Sequence, residues 1–283
     1  MSINEENKMY KIIDIHTHIY PDAIAAKAKV ALEKFYEFTC EGLGTVDDLA
    51  ESSKIAGVGG MLMLSSATNA HQVKKVNEFA KASLDNMLAR GFEAAAFGAI
   101  HQDCEDFAAE LDHMKALGLT GIKIHPDIQG VNIDDPRMYE LYSLAEGVFP
   151  IYLHMGDDRP QYRFSETHRL VKIMKEFPRL KVIAAHLGGY KAWDEAHELA
   201  AFGGENIMFD TSSALWAITT ERANQLISML GSERVMFGTD YPVMHAENEL
   251  KLFMKLSLTE KERENIFYNN AKSFLEFRQP AKI

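Results

Sequence analysis

Apolar, β-rich runs recur along the chain with helical stretches between them. They read Ile12–His18, Val58–Ser65, Phe92–Ile100, Gly121–His125, Phe149–His154, Lys181–His186, Ile207–Ser212 and Arg234–Asp240. Each is nearly continuous in apolar residues, the pattern of a strand buried on both faces, as in parallel sheets. Successive runs start 26 to 46 residues apart, room for a strand, a helix and two loops. Between them the pattern turns helical. In Asp103–Leu117 the apolar Phe107, Leu111, Met114 and Leu117 recur at helical spacing behind an acidic start, and Gly118 follows as a C-cap. Eight such units predict a (β/α)8 TIM barrel, an α/β fold read as a single domain over residues 1–283. An open doubly wound sheet is the alternative, but no G-x-G-x-x-G follows the first run. The first interval is the longest, and Tyr20–Gly44 within it predicts an extra loop or helix over the barrel mouth.

Six of the 11 histidines, His16, His18, His101, His125, His154 and His186, fall at or just beyond the C-terminal end of a predicted strand. That rim carries the reactive groups of barrel enzymes, supplied by several strands. A lone buried histidine is more often a hydrogen-bonded core residue, so the pairing matters. In Asp14-Ile15-His16-Thr17-His18, alternation turns both imidazoles into the barrel. Two neutral imidazoles suit a borderline divalent ion such as zinc. Asp14 shares their parity one layer deeper, placed to orient a ligand or pair with a cation. His154 ends its strand facing inward with Tyr152, and His186 precedes a Gly188-Gly189 turn that lets a substrate approach closely. Asp240 closes the last run, with Gly238 leaving room beside it. A carboxylate there can ligate a metal or take a proton from bound water; in isolation it also reads as a turn residue before Tyr241-Pro242.

Composition narrows the partners. Hydrophobic residues make up 47% and charged residues 25%, the balance of a globular protein, and the net charge is −11. An acidic surface disfavours nucleic acid and anionic membranes. No apolar run approaches the roughly 20 residues of a membrane span. Met1–Lys11 is polar with acidic residues, unlike the basic-then-apolar layout of a signal peptide. Cys40 and Cys104 form neither a disulfide framework nor a zinc motif, and read as ordinary thiols in a reducing compartment. The expectation is a cytoplasmic protein acting on a small molecule, with a homodimer left open.

Taken together, the motifs resemble the metal-dependent amidohydrolase superfamily, in the amidohydrolase-related branch that also holds lactonase-like and aminocarboxymuconate-semialdehyde decarboxylase-like enzymes. The likeness runs from the first H-x-H to Tyr268-Asn269-Asn270-Ala271, through Gly121-Ile122-Lys123-Ile124-His125-Pro126 and Phe237-Gly238-Thr239-Asp240-Tyr241-Pro242. The resemblance implies His16, His18, His154 and Asp240 as metal ligands and His186 as an acid/base group beside them. Decarboxylases with a glutamate in the first motif differ, since this chain has His16. Binuclear members bridge two ions with a carboxylated fourth-strand lysine, here Lys123. The favoured reading is instead a buried ammonium paired with Asp14 or Asp210, and hence one divalent ion, zinc first, with manganese or cobalt as alternatives.

For substrate contact, His125 and the post-strand residues Arg159, Arg163, Tyr190 and Trp216 are the candidates, the arginines as carboxylate clamps and the aromatics as pocket walls. Trp193 and Tyr241 also follow strands, and the methionines read as core filler. The leading activity implied is hydrolysis of an amide, lactone or related ester through metal-activated water, with Asp240 taking the proton. The alternative is a non-oxidative decarboxylase of a small unsaturated or aromatic acid. A barrel that binds without turnover is the third reading.

Overall fold

In the computed structural model, which describes residues 10–280, the eight runs form one parallel sheet in sequence order. The strands are β1 (Ile13–His18), β2 (Gly60–Leu64), β3 (Glu93–Ala99) and β4 (Ile122–Ile124). They continue as β5 (Ile151–Leu153), β6 (Val182–Ala184), β7 (Ile207–Asp210) and β8 (Val235–Met236). The sheet closes where Ile15 N donates to Phe237 O at 3.0 Å and Thr17 bridges Tyr241. The architecture is a (β/α)8 barrel. Among the described residues no helix is long and apolar enough to cross a membrane. Residues 1–9, most of the polar N-terminal stretch, lie outside the described residues.

The helices that position the site begin with α1 (Asp22–Tyr36), α2 (Val46–Ala56) and α3 (Val73–Ala89). The helix expected over Asp103–Leu117 is α4 (Phe107–Leu117): it starts late because Asp106 caps it, accepting from Ala109 N, and it ends at Gly118 with φ 74°. After β4 comes the short α5 (Pro126–Gln129), then α6 (Pro136–Ala145), α7 (Thr167–Glu176), α8 (Ala196–Phe202), α9 (Thr220–Leu230) and α10 (Ala246–Phe253). The predicted insertion after β1 is α1 and the loop leading to Gly44.

Two apolar layers separate. Ile15, Leu62, Phe97, Tyr152, Ile183 and Met236 fill the barrel interior, while Met61, Met63 and their neighbours pack the outside of the strands against the helices. The register of β1 shifts between Asp14 and Thr17, so Asp14 sits opposite outward-facing Met61 and His18 opposite inward-facing Leu64. This bulge corrects the simple alternation. Ile13 and Ile15 occupy the inner layer beneath the histidines, and Asp14 instead accepts from the Thr239 hydroxyl at 2.6 Å and from His16 N at 3.1 Å.

One buried carboxyl outside the rim is expected to cost stability. Glu249 on α10 is fully buried, and neither carboxylate oxygen has a hydrogen-bond partner among the described residues. Burial, reinforced by Asp14, Asp240 and Asp210, pushes its pKa well above the usual range. A carboxyl with a raised folded-state pKa binds protons more tightly when folded, so its penalty is absent at low pH and grows as pH rises above its unfolded value of 4.5. Glu249→Gln is therefore expected to raise Tm at pH 8, by the equivalent of about 1–3 kcal/mol, and to change it little at pH 4. Calorimetry at both pH values checks this; an equal gain at each, or a loss at pH 8, contradicts it.

Candidate metal centre

The strand ends bring the predicted groups together. His16 Nε2 lies 3.1 Å from His18 Nε2 and 3.1 Å from Asp240 Oδ1, and His18 Nε2 lies 3.4 Å from the same carboxylate oxygen. A divalent ion with bonds of about 2.0–2.2 Å holds neighbouring ligand atoms about 3.0–3.5 Å apart, so these three residues fit one ion. His186 Nε2 stands 3.0 Å from His154 Nδ1, and the His16 and His186 rings stack at 5.1 Å. His154 thus joins the group through His186.

Outer contacts aim these rings. His16 Nδ1 meets Ser212 Oγ at 2.7 Å and Asp210 Oδ2 at 3.2 Å, which leaves Nε2 facing the rim. His186 donates from Nδ1 to the Ser212 carbonyl at 2.9 Å, which likewise leaves Nε2 free to face His154. On His154 the far nitrogen, Nε2, contacts Asp127 at 3.2 Å and the Tyr36 hydroxyl at 3.3 Å, turning Nδ1 inward. Carboxylates and carbonyls behind histidines are the usual way proteins orient metal-binding imidazoles. Burial lowers the pKa of His16 to about 3 and lowers that of His18 as well. Burial works against ionisation of Asp240, yet His16 and His18 beside it hold its carboxyl well below the usual range. Two imidazoles and a carboxylate meeting at 3.1–3.4 Å form a donor set that suits a cation.

The backbone carries strain at these positions. His186 (φ 60°), Asp240 (φ 59°) and Ser213 (φ 49°), whose hydroxyl donates to Asp240 Oδ2 at 2.6 Å, are all left-handed without being glycine. Gly238 leaves room for His16 rather than for Asp240, since a Cβ there would come within 2.9 Å of the His16 Cβ. The Gly188-Gly189 turn has a structural use too. Gly156, at φ 77°, approaches it so closely that a Cβ would meet Gly189 Cα at 2.7 Å.

The remaining predicted residues divide. A cleft of about 680 Å³ opens above the cluster, and His18, His125, His154, His186, Tyr190 and Asp240 all line it. Arg159 and Arg163 do not. Arg159 forks onto Asp157 at 2.9 and 2.6 Å and packs on the Tyr162 ring, and Arg163 pairs with Glu166 and Glu195. Trp216 stands behind the wall against Phe38 and Tyr190, and His101 turns back to accept from Asp103 N at 3.2 Å. Lys123 is also corrected. Its amine is buried 4.7 Å over the Tyr152 ring with no hydrogen-bond partner among the described residues. The expected ion pair fails because Asp14 is held by Thr239, while Asp210 is held by Tyr152, Ser212 and His16. Burial lowers the Lys123 pKa to about 8.

Sequence reasoning passed over Tyr36, Asp127 and Ser212. Tyr36 reaches the rim from the end of α1, its hydroxyl 3.2 Å from His125 Nε2 and 3.4 Å from Asp127. Ser212 lay in plain view, because the seventh run ends in Asp210-Thr211-Ser212-Ser213, a polar string at the reactive end of a strand.

Comparison with known proteins gives this geometry a context. The family model described as amidohydrolase matches residues 13–277. A Dictyostelium discoideum protein named 2-amino-3-carboxymuconate-6-semialdehyde decarboxylase is 26% identical over 194 residues, 56% of this chain and 54% of that protein. The γ-resorcylate decarboxylase of a Polaromonas species is 24% identical over 238 residues, 67% of this chain and 71% of the relative. The chain spans about half the length of the first of these. Among solved structures, a dihydroxybenzoic acid decarboxylase from Polaromonas, with bound manganese and 2-nitroresorcinol, superposes with a TM-score of 0.71. Its identity is 17%, over 94% of this chain and 97% of that one. At that identity the likeness is one of fold.

Proposed function

The chain belongs to the amidohydrolase family, and on that premise we propose that it is a metal-dependent, non-oxidative decarboxylase of a small aromatic or unsaturated carboxylic acid. The observation that carries this reading is that the sequence relatives reported above are named as decarboxylases. Hydrolysis, the first reading of the sequence, draws no comparable support. The donor set at the rim supports the metal. His16, His18 and Asp240 would hold it with His154, and the manganese of the related solved structure stands beside zinc as a candidate. When bound, a divalent ion supplies a Lewis acid for the oxygens of a substrate carboxylate.

The chain's own residues do the rest. Tyr190 and His125 wall the cleft and position the acid, and Asp210, Ser212 and Asp127 keep the imidazoles aimed. Departure of CO2 leaves an electron pair on carbon, and a proton must take its place. His186 is the residue we assign to that proton. With Nδ1 committed to the Ser212 carbonyl, Nε2 is the atom that gains and loses it. The test is a panel of aromatic carboxylic acids, lactones and amides offered to protein loaded separately with zinc, manganese and cobalt. CO2 release from at least one acid is expected; acid release from a lactone or amide, with no CO2 from any acid, overturns the proposal.

A further inference from the structure

The cleft is larger than the chemistry at its floor requires. Its 680 Å³ is the size of pockets that hold drug-sized ligands, more than a single-ring acid fills. Two helix faces build the excess. From α1 come Ile24, Ala28 and Ala31, spaced i, i+4 and i+7, and from α3 come Val76 and Phe79. From Tyr36, whose hydroxyl touches His125 and His154, to Ile24 is twelve residues along α1, about 18 Å of wall. The alanines keep that wall low, and Ile24 is left 49% exposed. Where β2 ends, Ser65 and Ser66 line the cleft, their hydroxyls buried and without a hydrogen-bond partner among the described residues. The lining holds two cations, Lys27 and Lys75, in a protein of net charge −11. They favour entry of an anion.

We propose that the cleft takes an amphiphilic acid. Its carboxylated head reaches the histidines, and an alkyl or aryl tail lies between Ile24, Ala28 and Ala31 on one side and Val76 and Phe79 on the other. This rests on the decarboxylase reading above for the fate of the head, while the tail site stands on the shape and chemistry of the walls.

Calorimetric titration of the metal-loaded protein with hexanoate, octanoate and decanoate tests the tail site without turnover. Affinity is expected to rise about 2–4-fold per added methylene, the upper value corresponding to about 0.8 kcal/mol per buried CH2. Ala28→Trp, which fills the space between the helices, is expected to flatten that dependence, and Val76→Trp from the opposite wall provides the same check should the first variant melt early. In parallel, CO2 release is compared for 2,6-dihydroxybenzoate and its 4-heptyl derivative, the latter expected to have the higher kcat/KM. Affinity climbing with chain length while no acid yields CO2 supports the tail site and removes the decarboxylase reading. CO2 from the parent acid with affinity flat across the series, or a chain-length dependence that survives both tryptophans, overturns the tail site.

Discussion

Replacing His16 and His18 together by alanine is expected to strip the protein of the proposed divalent ion and lower turnover by at least about 10³-fold. The size follows from what is lost. A metal contributes several kcal/mol of charge stabilisation to the reacting oxygens, and each 1.4 kcal/mol is a factor of ten. Asp240 and His154 would remain, but His154 Nδ1 faces His186 Nε2 at 3.0 Å, and the groups beside Asp240 at 3.1 and 3.4 Å are the two imidazoles removed. Removing them also leaves a carboxylate buried without the groups that keep it ionised, so its pKa should climb. Elemental analysis of the purified double variant, beside a thermal melt to show that it folds, is the measurement. Full metal content in a folded double variant would place the ion elsewhere, and the His125, Asp127 and His154 group would be the next site to test.

The barrel was legible because its strands are buried on both faces. Eight nearly continuous apolar runs at helix-sized intervals leave few other ways to hide that surface. Strand ends were harder. The runs predicted to reach His154, His186 and Asp240 stop as regular strands at Leu153, Ala184 and Met236: His154 still donates to Ile124 O at 3.1 Å, while His186 and Asp240 turn into left-handed backbone. The left-handed backbone at His186 and Asp240 could not be read from residue preference alone, since histidine and aspartate adopt it only occasionally and the surrounding fold decides where. Asp14 was misplaced by the β1 bulge, which alternation cannot foresee. The arginines after β5 illustrate a different limit. Asp157 lies two residues from Arg159, and the sequence alone could not decide between that local fork and a substrate. Tyr36 and Asp127 come from separate connections that meet only in the folded rim, so no spacing joined them to His154.

His186→Asn separates proton transfer from metal binding. Asparagine suits the site, since it tolerates the left-handed φ of 60° better than most residues and its amide can still donate to the Ser212 carbonyl. Three proposed ligands, His16, His18 and Asp240, form a group without His186, so metal content is expected to remain near wild type. Turnover should nevertheless fall by about 10²–10⁴-fold, the usual worth of a positioned acid or base, with a smaller change in KM. A second readout isolates the proton. Run backwards, the same group removes hydrogen from the carbon that lost CO2, so wild-type protein in D2O should exchange that hydrogen in the product and the variant should not. Metal lost in step with activity would make His186 a ligand. Retained metal with wild-type exchange would move the proton to another group, and Asp240, 3.1 Å from His16 and open to the cleft, would be the residue to test next.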